Sequence, residues 1–204
     1  MESKVKQDNN LLKDKAIKEL IKIEEEIRNC KLCSLSQNRT NAVPGSGNYK
    51  AKLMIIGEAP GRNEDLQGLP FVGQAGKLLE QMLNEINIKR EEVFITNVIK
   101  CRPPENRDPT DEEINACKPY LFKQIQLTNP KIILLLGKYS LKTILNINLK
   151  ITYLKGRIFI KDDRYIFCTY HPAFILRNYS KYIEEYKYHF NILKSLVEKN
   201  NLDN

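Results

Sequence analysis

The chain has 204 residues, enough for one domain that buries an ordinary core without disulfide support. Lys and Arg outnumber Asp and Glu by 33 to 25, and the resulting net charge of +8 suits an anionic partner and equally suits a solvated surface. No apolar segment approaches the ~20 residues that span a bilayer, and the N-terminus lacks a signal peptide's apolar stretch, so a soluble, cytoplasmic protein with no membrane partner is expected. Its five cysteines are then ligands or small buried hydrophobes rather than disulfides.

Residues 1–15 read as a disordered or helical extension and residues 16–200 as a single domain. Ile17, Leu20, Ile21, Glu24 and Ile27 trace one face of an amphipathic helix that delivers Cys30. Cys30 and Cys33 form a CxxC, a spacing that lets two thiolates reach one metal centre. A loop rich in Gly, Pro and Asn leads to Lys52–Gly61, where the apolar run Leu53, Met54, Ile55, Ile56 stops at Gly57 and Glu58 follows. That is a buried strand ending in a tight loop, and in open α/β sheets ligands gather at such ends.

A polar loop from Arg62 to Pro70 carries the chain to Phe71, which lies ahead of a helix with Leu78, Leu79, Met82, Leu83 and Ile86 on one face. A second strand, Val93–Ile99, runs into Cys101, Arg102 and two prolines. Thr110 and Glu113 make a capping box for a helix bearing Cys117. A third strand covers Lys131–Leu136; a hairpin turning at Asp162–Asp163 then leads to His171, and a last helix presents Ile183, Tyr186, Phe190, Leu193 and Val197. Strands alternating with helices predict an α/β fold: a three-layer sandwich with a central, mainly parallel four-stranded sheet flanked by helices. Glu58, the segment Asn97 to Cys101 and His171 then share one rim of that sheet.

Cys30, Cys33, Cys101 and Cys117 are separated by two, 67 and 15 residues, and such a set can hold a 4Fe-4S cluster or a tetrahedral zinc. Four unrelated buried thiols are the plainer alternative. Cys168, in the last strand with apolar neighbours, is assigned to the core, and His189, in the last helix, is assigned a structural role.

The stretches Gly57-Glu58-Ala59-Pro60-Gly61, Phe71-Val72-Gly73-Gln74-Ala75-Gly76, Thr96 to Pro104 and His171 to Arg177, together with the four-cysteine framework, resemble the family 4 uracil-DNA glycosylases over roughly Ile27 to Leu196. The resemblance implies a 4Fe-4S cluster on Cys30, Cys33, Cys101 and Cys117, with zinc as the alternative. It also implies hydrolytic removal of uracil from single- or double-stranded DNA. An enzyme acting on a base must take the nucleotide out of the stack, and so needs a stacking ring, a hydrogen-bonding reader and a charge stabiliser. Phe71, Asn97 and His171 are those three types. Gly57, Glu58 and Ala59 are expected to border the base as well, with backbone N–H groups available to uracil O2.

Ala59 stands where the related family 1 enzymes carry a water-activating aspartate, so Glu58 or Glu64 is expected to supply that function. Gly61 stands where family 1 has a thymine-excluding tyrosine. Pro60, Gly61, Arg102, Arg107 and Arg177 are the candidate phosphate contacts. The protein is expected to act as a monomer, a sliding clamp is a candidate partner, and the N-terminal extension, Met1 to about Lys15, reads as a docking arm or a tail. Two other readings are weighed: a relative trapped covalently on the abasic site, which the His-free segment Cys101 to Thr110 disfavours, and a non-catalytic DNA-binding or redox-sensing module.

Overall fold

The computed structural model describes the backbone of residues 2–202 and the side chains of residues 14–200. The chain opens with helix α1 (Glu2–Arg28), continuous from its first described residue. The docking-arm or tail reading of the extension falls mostly on side chains that lie outside the described residues. Leu20, Ile23 and Ile27 are the buried face of α1, while Ile21 points outward, so the stripe is rotated from the one expected.

A short strand, β1 (Ser46–Gly47), precedes β2 (Leu53–Gly57). Next come α2 (Arg62–Gln67), α3 (Gln74–Glu85), β3 (Phe94–Asn97) and α4 (Asp111–Thr128). The second half holds β4 (Ile132–Leu136), α5 (Lys138–Leu145), α6 (Ile151–Leu154), β5 (Ile158–Lys161), β6 (Arg164–Thr169), α7 (Pro172–Arg177) and α8 (Tyr179–Leu202).

The sheet has six strands in the order β1-β3-β2-β4-β6-β5. Its inner part, β3-β2-β4-β6, is the parallel unit expected from the alternating elements. The strand count of four is corrected by the two edges, β1 and β5, which pair antiparallel. Only β1, two residues long, escapes a search for apolar runs; β5 is the first arm of the expected hairpin, and it starts at Ile158 because Ile151–Leu154 is helical. Asp162 and Asp163 both adopt positive φ, 50° and 58°, as the tight hairpin between β5 and β6 requires.

Side chains alternate across the strands and build a core on each face. Met54 and Ile56 pack with Ile27 of α1 and with Ile114 and Leu121 of α4. Leu53 and Ile55 pack with Leu79 and Met82 of α3 and with Tyr186 and Phe190 of α8. Cys168 is fully buried in the first of these cores. The capping box forms as expected: Thr110 Oγ1 accepts from the Glu113 N–H at 3.2 Å, and Glu113 accepts from the Thr110 N–H at 2.8 Å. Asp111, Glu112 and Glu113 in the same first turn suit the positive end of the helix dipole.

The segment Arg62 to Gln67, expected as loop, is a helix. It has no apolar stripe to announce it, because Leu66 is exposed. Its acids face inward instead: the Asp65 carboxylate accepts from the N–H groups of Thr40 and Asn41.

Candidate active site

Because the four inner strands are parallel, their carboxyl ends open on one rim, and a cleft of about 970 Å³ lies there. Glu58 follows β2, Asn97 ends β3, Gly137 follows β4 and His171 follows β6 by two residues; all four border the cleft. Phe71 enters from the loop between α2 and α3.

Gly57 and Asn97 are register partners in β2 and β3. A Cβ at residue 57 would stand 2.4 Å from Asn97 Oδ1 and 2.5 Å from the tip of the Phe71 ring, so glycine is what lets both side chains converge. Asn97 is 1 % exposed, and its carboxamide oxygen is buried without a hydrogen-bond partner.

The Phe71 ring lies 5.6 Å from the His171 ring, centroid to centroid. Its backbone sits at φ 52°, a conformation L-residues rarely hold without support. The support is specific. Arg90 donates from Nη1 to the Phe71 carbonyl at 3.0 Å and from Nη2 to the Pro70 carbonyl. Gly76 presses so close that a Cβ there would lie 1.9 Å from the Phe71 carbonyl oxygen.

Glu64 completes this loop. One carboxylate oxygen accepts from the Val72 and Gly73 N–H groups at 2.9 and 2.8 Å, and the other accepts from the Gly61 N–H at 3.1 Å. With both oxygens committed to backbone donors, Glu64 holds the two loops together and is not placed as a free base. Glu58 also borders the cleft, as does Asp108, which is paired with Lys138 at 2.7 Å. Burial, then the Asp108 charge, push Glu58 up to about 7, while Lys138 and Arg177 oppose the shift.

His171 caps α7: its Nδ1 accepts from the Ala173 N–H at 3.2 Å. Burial, with the Arg177 charge, pushes its imidazole down to about 4. A neutral ring whose Nδ1 is an acceptor carries its proton on Nε2, so a neutral N–H donor remains for a ligand. His189 is a structural residue, with Nδ1 2.8 Å from Thr169 Oγ1 in the core.

The expected phosphate contacts divide. Pro60, Gly61 and Arg177 border the cleft. Arg107 also reaches it, but its guanidinium is spent on Glu113, at 2.6 and 2.9 Å, and so braces the start of α4. Arg102 lies outside the cleft lining and donates from Nε to Asn106 at 2.8 Å. The cleft lining also holds residues that local pattern did not single out: Asp108, Tyr139, and the lysines Lys138, Lys142 and Lys150. Lys138, Tyr139 and Lys142 lie on α5, which starts directly after the Gly137 that follows β4, whereas Asp108 and Lys150 lie in connecting segments.

The four cysteines of the framework border a second, smaller cavity behind the end of β3. Cys30 and Cys33 come from the end of α1, Cys101 from the loop after β3, and Cys117 from α4. Arg39, unmarked by local pattern, donates to Cys101 Sγ at 3.0 Å and to the Arg28 carbonyl at 2.8 Å. Burial raises the Cys117 thiol to about 12, against a hydrogen bond from the Lys100 N–H and the Lys100 charge. No group of three or more His, Cys, Asp or Glu side chains among the described residues forms a site for a single metal ion.

A mainly parallel sheet whose carboxyl rim gathers a buried carboxamide, an aromatic ring and a neutral imidazole around one cleft defines an α/β protein with its pocket at the strand ends. The family model described as "Uracil DNA glycosylase superfamily" matches residues 44–195. The type-4 uracil-DNA glycosylase of Sulfurisphaera tokodaii is 53 % identical over 169 residues, covering 78 % of this chain and 76 % of that protein. Those of Saccharolobus solfataricus and Archaeoglobus fulgidus are 50 % and 44 % identical, covering 76 % and 87 % of this chain and 76 % and 92 % of the relatives. The chain belongs to the uracil-DNA glycosylase superfamily and, within it, to the type-4 family.

The His171 geometry predicts a titration. The chain has two histidines, so ring-nitrogen NMR resolves them. At pH 6 His171 should be neutral with the proton on Nε2, charging only as the pH falls toward about 4. A midpoint near the ordinary histidine value, about 6.5, would refute the neutral-donor assignment.

Proposed function

We infer that this protein flips uracil out of DNA and hydrolyses its N-glycosidic bond, releasing free uracil and leaving an abasic site for base-excision repair. The observation that carries the reading is the buried, unpartnered carboxamide oxygen of Asn97. Buried polar atoms are nearly always paired, so an acceptor in this position calls for a ligand donor. Uracil supplies one at N3–H, with its O4 beside it for the Asn97 amide N–H. Cytosine presents an acceptor at N3 and would leave two acceptors facing each other, so the same amide that fits uracil rejects cytosine.

The remaining groups fit the reaction in order. Phe71 stacks on the flipped base, an interaction worth about 1 to 3 kcal/mol. As the C1′–N1 bond breaks, its electron pair moves onto the uracil ring, and charge gathers on O2. His171 Nε2–H, together with the backbone N–H groups after Gly57, donates to that oxygen. Such donors act most strongly in a site from which water is excluded. Glu58, as carboxylate, takes a proton from the water that adds to C1′ and stabilises the positive sugar before that addition. Arg177 and Lys150 meet the phosphates, while Lys138 and Lys142 are paired with Asp108 and Asp111 at 2.7 Å; such contacts give salt-dependent, sequence-independent affinity for single- or double-stranded DNA. Every side chain in this account comes from one chain, so a monomer suffices.

The four cysteines around the second cavity would hold a 4Fe-4S cluster. The donor set is four soft thiols; Arg39 donates to Cys101 and the Lys100 N–H to Cys117, opposing the burial that raises both thiols. The cluster would supply a covalent tie among α1, the loop after β3 and α4, since removing uracil transfers no net electrons. Zinc is the alternative.

Three measurements test the proposal. On an oligonucleotide with one uracil, the protein should turn over to give alkali-labile strands. Asn97→Ala and His171→Ala should lose on the order of 100-fold to 1000-fold in rate while still binding DNA. A protein that binds without cleaving, or that stays on the DNA as an SDS-resistant band, would favour the two readings set aside.

The Glu58 assignment has a pH signature. Its folded-state value is raised, so below about 7 the carboxyl is protonated and idle, and kcat/KM should climb as the pH rises through that value. Glu58→Gln should lower the rate and abolish this limb, and an unchanged profile would remove Glu58 from the reaction. For the cluster, natively purified protein should be brown, bleach on reduction and carry about 4 iron atoms per chain, with colour and iron lost in Cys117→Ser. Colourless protein containing zinc would overturn the iron assignment.

A further inference from the structure

Between the base-reading cleft and the thiol cavity lies one charged side chain that the reaction does not use. Lys100 is 1 % exposed, among the most completely buried side chains of the protein. Its ammonium donates to Thr96 Oγ1 at 2.6 Å, to the Asn97 carbonyl at 2.7 Å and to Gln124 Oε1 at 2.7 Å. Three N–H donors thus meet three acceptors, the full capacity of a lysine. All three acceptors are uncharged, so the ammonium is buried without a carboxylate. Burying a charge on such terms is costly, and the cost has to be offset by what the network holds in place.

What it holds is the turn that carries Asn97. The Lys100 side chain folds back on its own chain to the carbonyl three residues earlier, closing the segment Asn97 to Lys100 from inside. The backbone of that turn is fastened to the end of β2, with the Val98 N–H on the Gly57 carbonyl at 3.0 Å and the Ile99 N–H on the Glu58 carbonyl at 3.1 Å. The other two acceptors are fixed in turn. Thr96 Oγ1 donates to the Pro44 carbonyl at 2.8 Å, and Gln124 Nε2 donates to the same carbonyl at 2.9 Å. Gln124 lies on α4, two turns beyond Cys117, while Cys101 is the next residue after Lys100. One ammonium therefore joins the strand end that reads the base, the loop before β1 and the helix that carries a cluster thiol.

We propose that Lys100 is the positioning residue of uracil recognition: its ammonium, fastened to Thr96, the Asn97 carbonyl and Gln124, holds the Asn97 carboxamide in the orientation that selects uracil. This rests on the reading of Asn97 as the base-reading residue. Lys100 touches neither base nor sugar and acts only through Asn97.

The test is a double-mutant cycle read by single-turnover excision from uracil oligonucleotides, with iron content measured for each variant. Lys100→Met keeps length and apolar bulk but donates nothing. It should lower the rate on the order of 10- to 100-fold with iron retained, the loss expected for a misplaced binding group. In an Asn97→Ala background the same change should cost less than about 2-fold, because residues that act as a unit do not add.

Equal fold-losses in both backgrounds would show a general structural role and overturn the proposal, as would a Lys100→Met rate within about 2-fold of the parent. If Lys100→Met does not fold or loses its iron, Thr96→Val, which removes one of the three acceptors, is taken through the same cycle with the same criterion. An unmodified protein that fails to excise uracil, or an Asn97→Ala variant as fast as its parent, would instead sink the underlying reading of the cleft, and this proposal with it.

Discussion

The site depends on a missing methyl group. Parallel pairing of β2 with β3 sets Gly57 opposite Asn97, and only a residue without a Cβ lets the Asn97 amide and the Phe71 ring converge on the same point. The same close approach recurs at Gly76, where the helix behind the loop presses on the Phe71 backbone. Two glycines, the half-buried Arg90 and the buried Glu64 thus hold an aromatic residue in a backbone conformation it would not choose alone. The strain is local and the restraints surround it, which is the condition for a wall that does not relax when the base leaves.

Electrostatics in the cleft follow from one cause acting on two unlike groups. Desolvation favours the neutral form, so it raises the Glu58 carboxyl and lowers the His171 imidazole. Arg177 then separates them. Its charge favours the Glu58 carboxylate and disfavours the His171 cation, so one guanidinium at the rim promotes an ionised base beside a neutral donor. A single cation at the mouth of the cleft thereby acts on both groups, with Lys138 acting more strongly on Glu58.

The parallel strands were legible because each is an apolar run cut off by Gly or a polar residue, and their carboxyl ends name Glu58, Asn97 and His171 almost directly. The capping box at Thr110 was equally plain, being a local device. What stayed hidden depends on partners far along the chain. Glu64 looked like a free acid because nothing near it in sequence tells that Val72 and Gly73 will donate to it. Arg107 looked like a phosphate contact because its engagement with Glu113 forms only once α4 has its place. Helix α2 lacks an apolar stripe, and Arg39, Arg90 and Lys100 are charged residues whose burial is decided by tertiary packing alone.

The thiol framework raises the question of what a cross-link contributes to a fold that already has two cores. Cys33 and Cys101 enclose 67 residues, and loop-closure entropy grows only as the logarithm of length, each doubling adding about 0.6 kcal/mol. Length is therefore not the main gain. The placement matters more. Cys101 is the last residue of the turn that begins at Asn97, and Cys117 lies on the helix that supplies Gln124 to Lys100. A tie at those two points restrains both ends of the network behind the base-reading amide. A cluster bound there would therefore stiffen the turn from Asn97 to Cys101, a gain that needs no electron transfer.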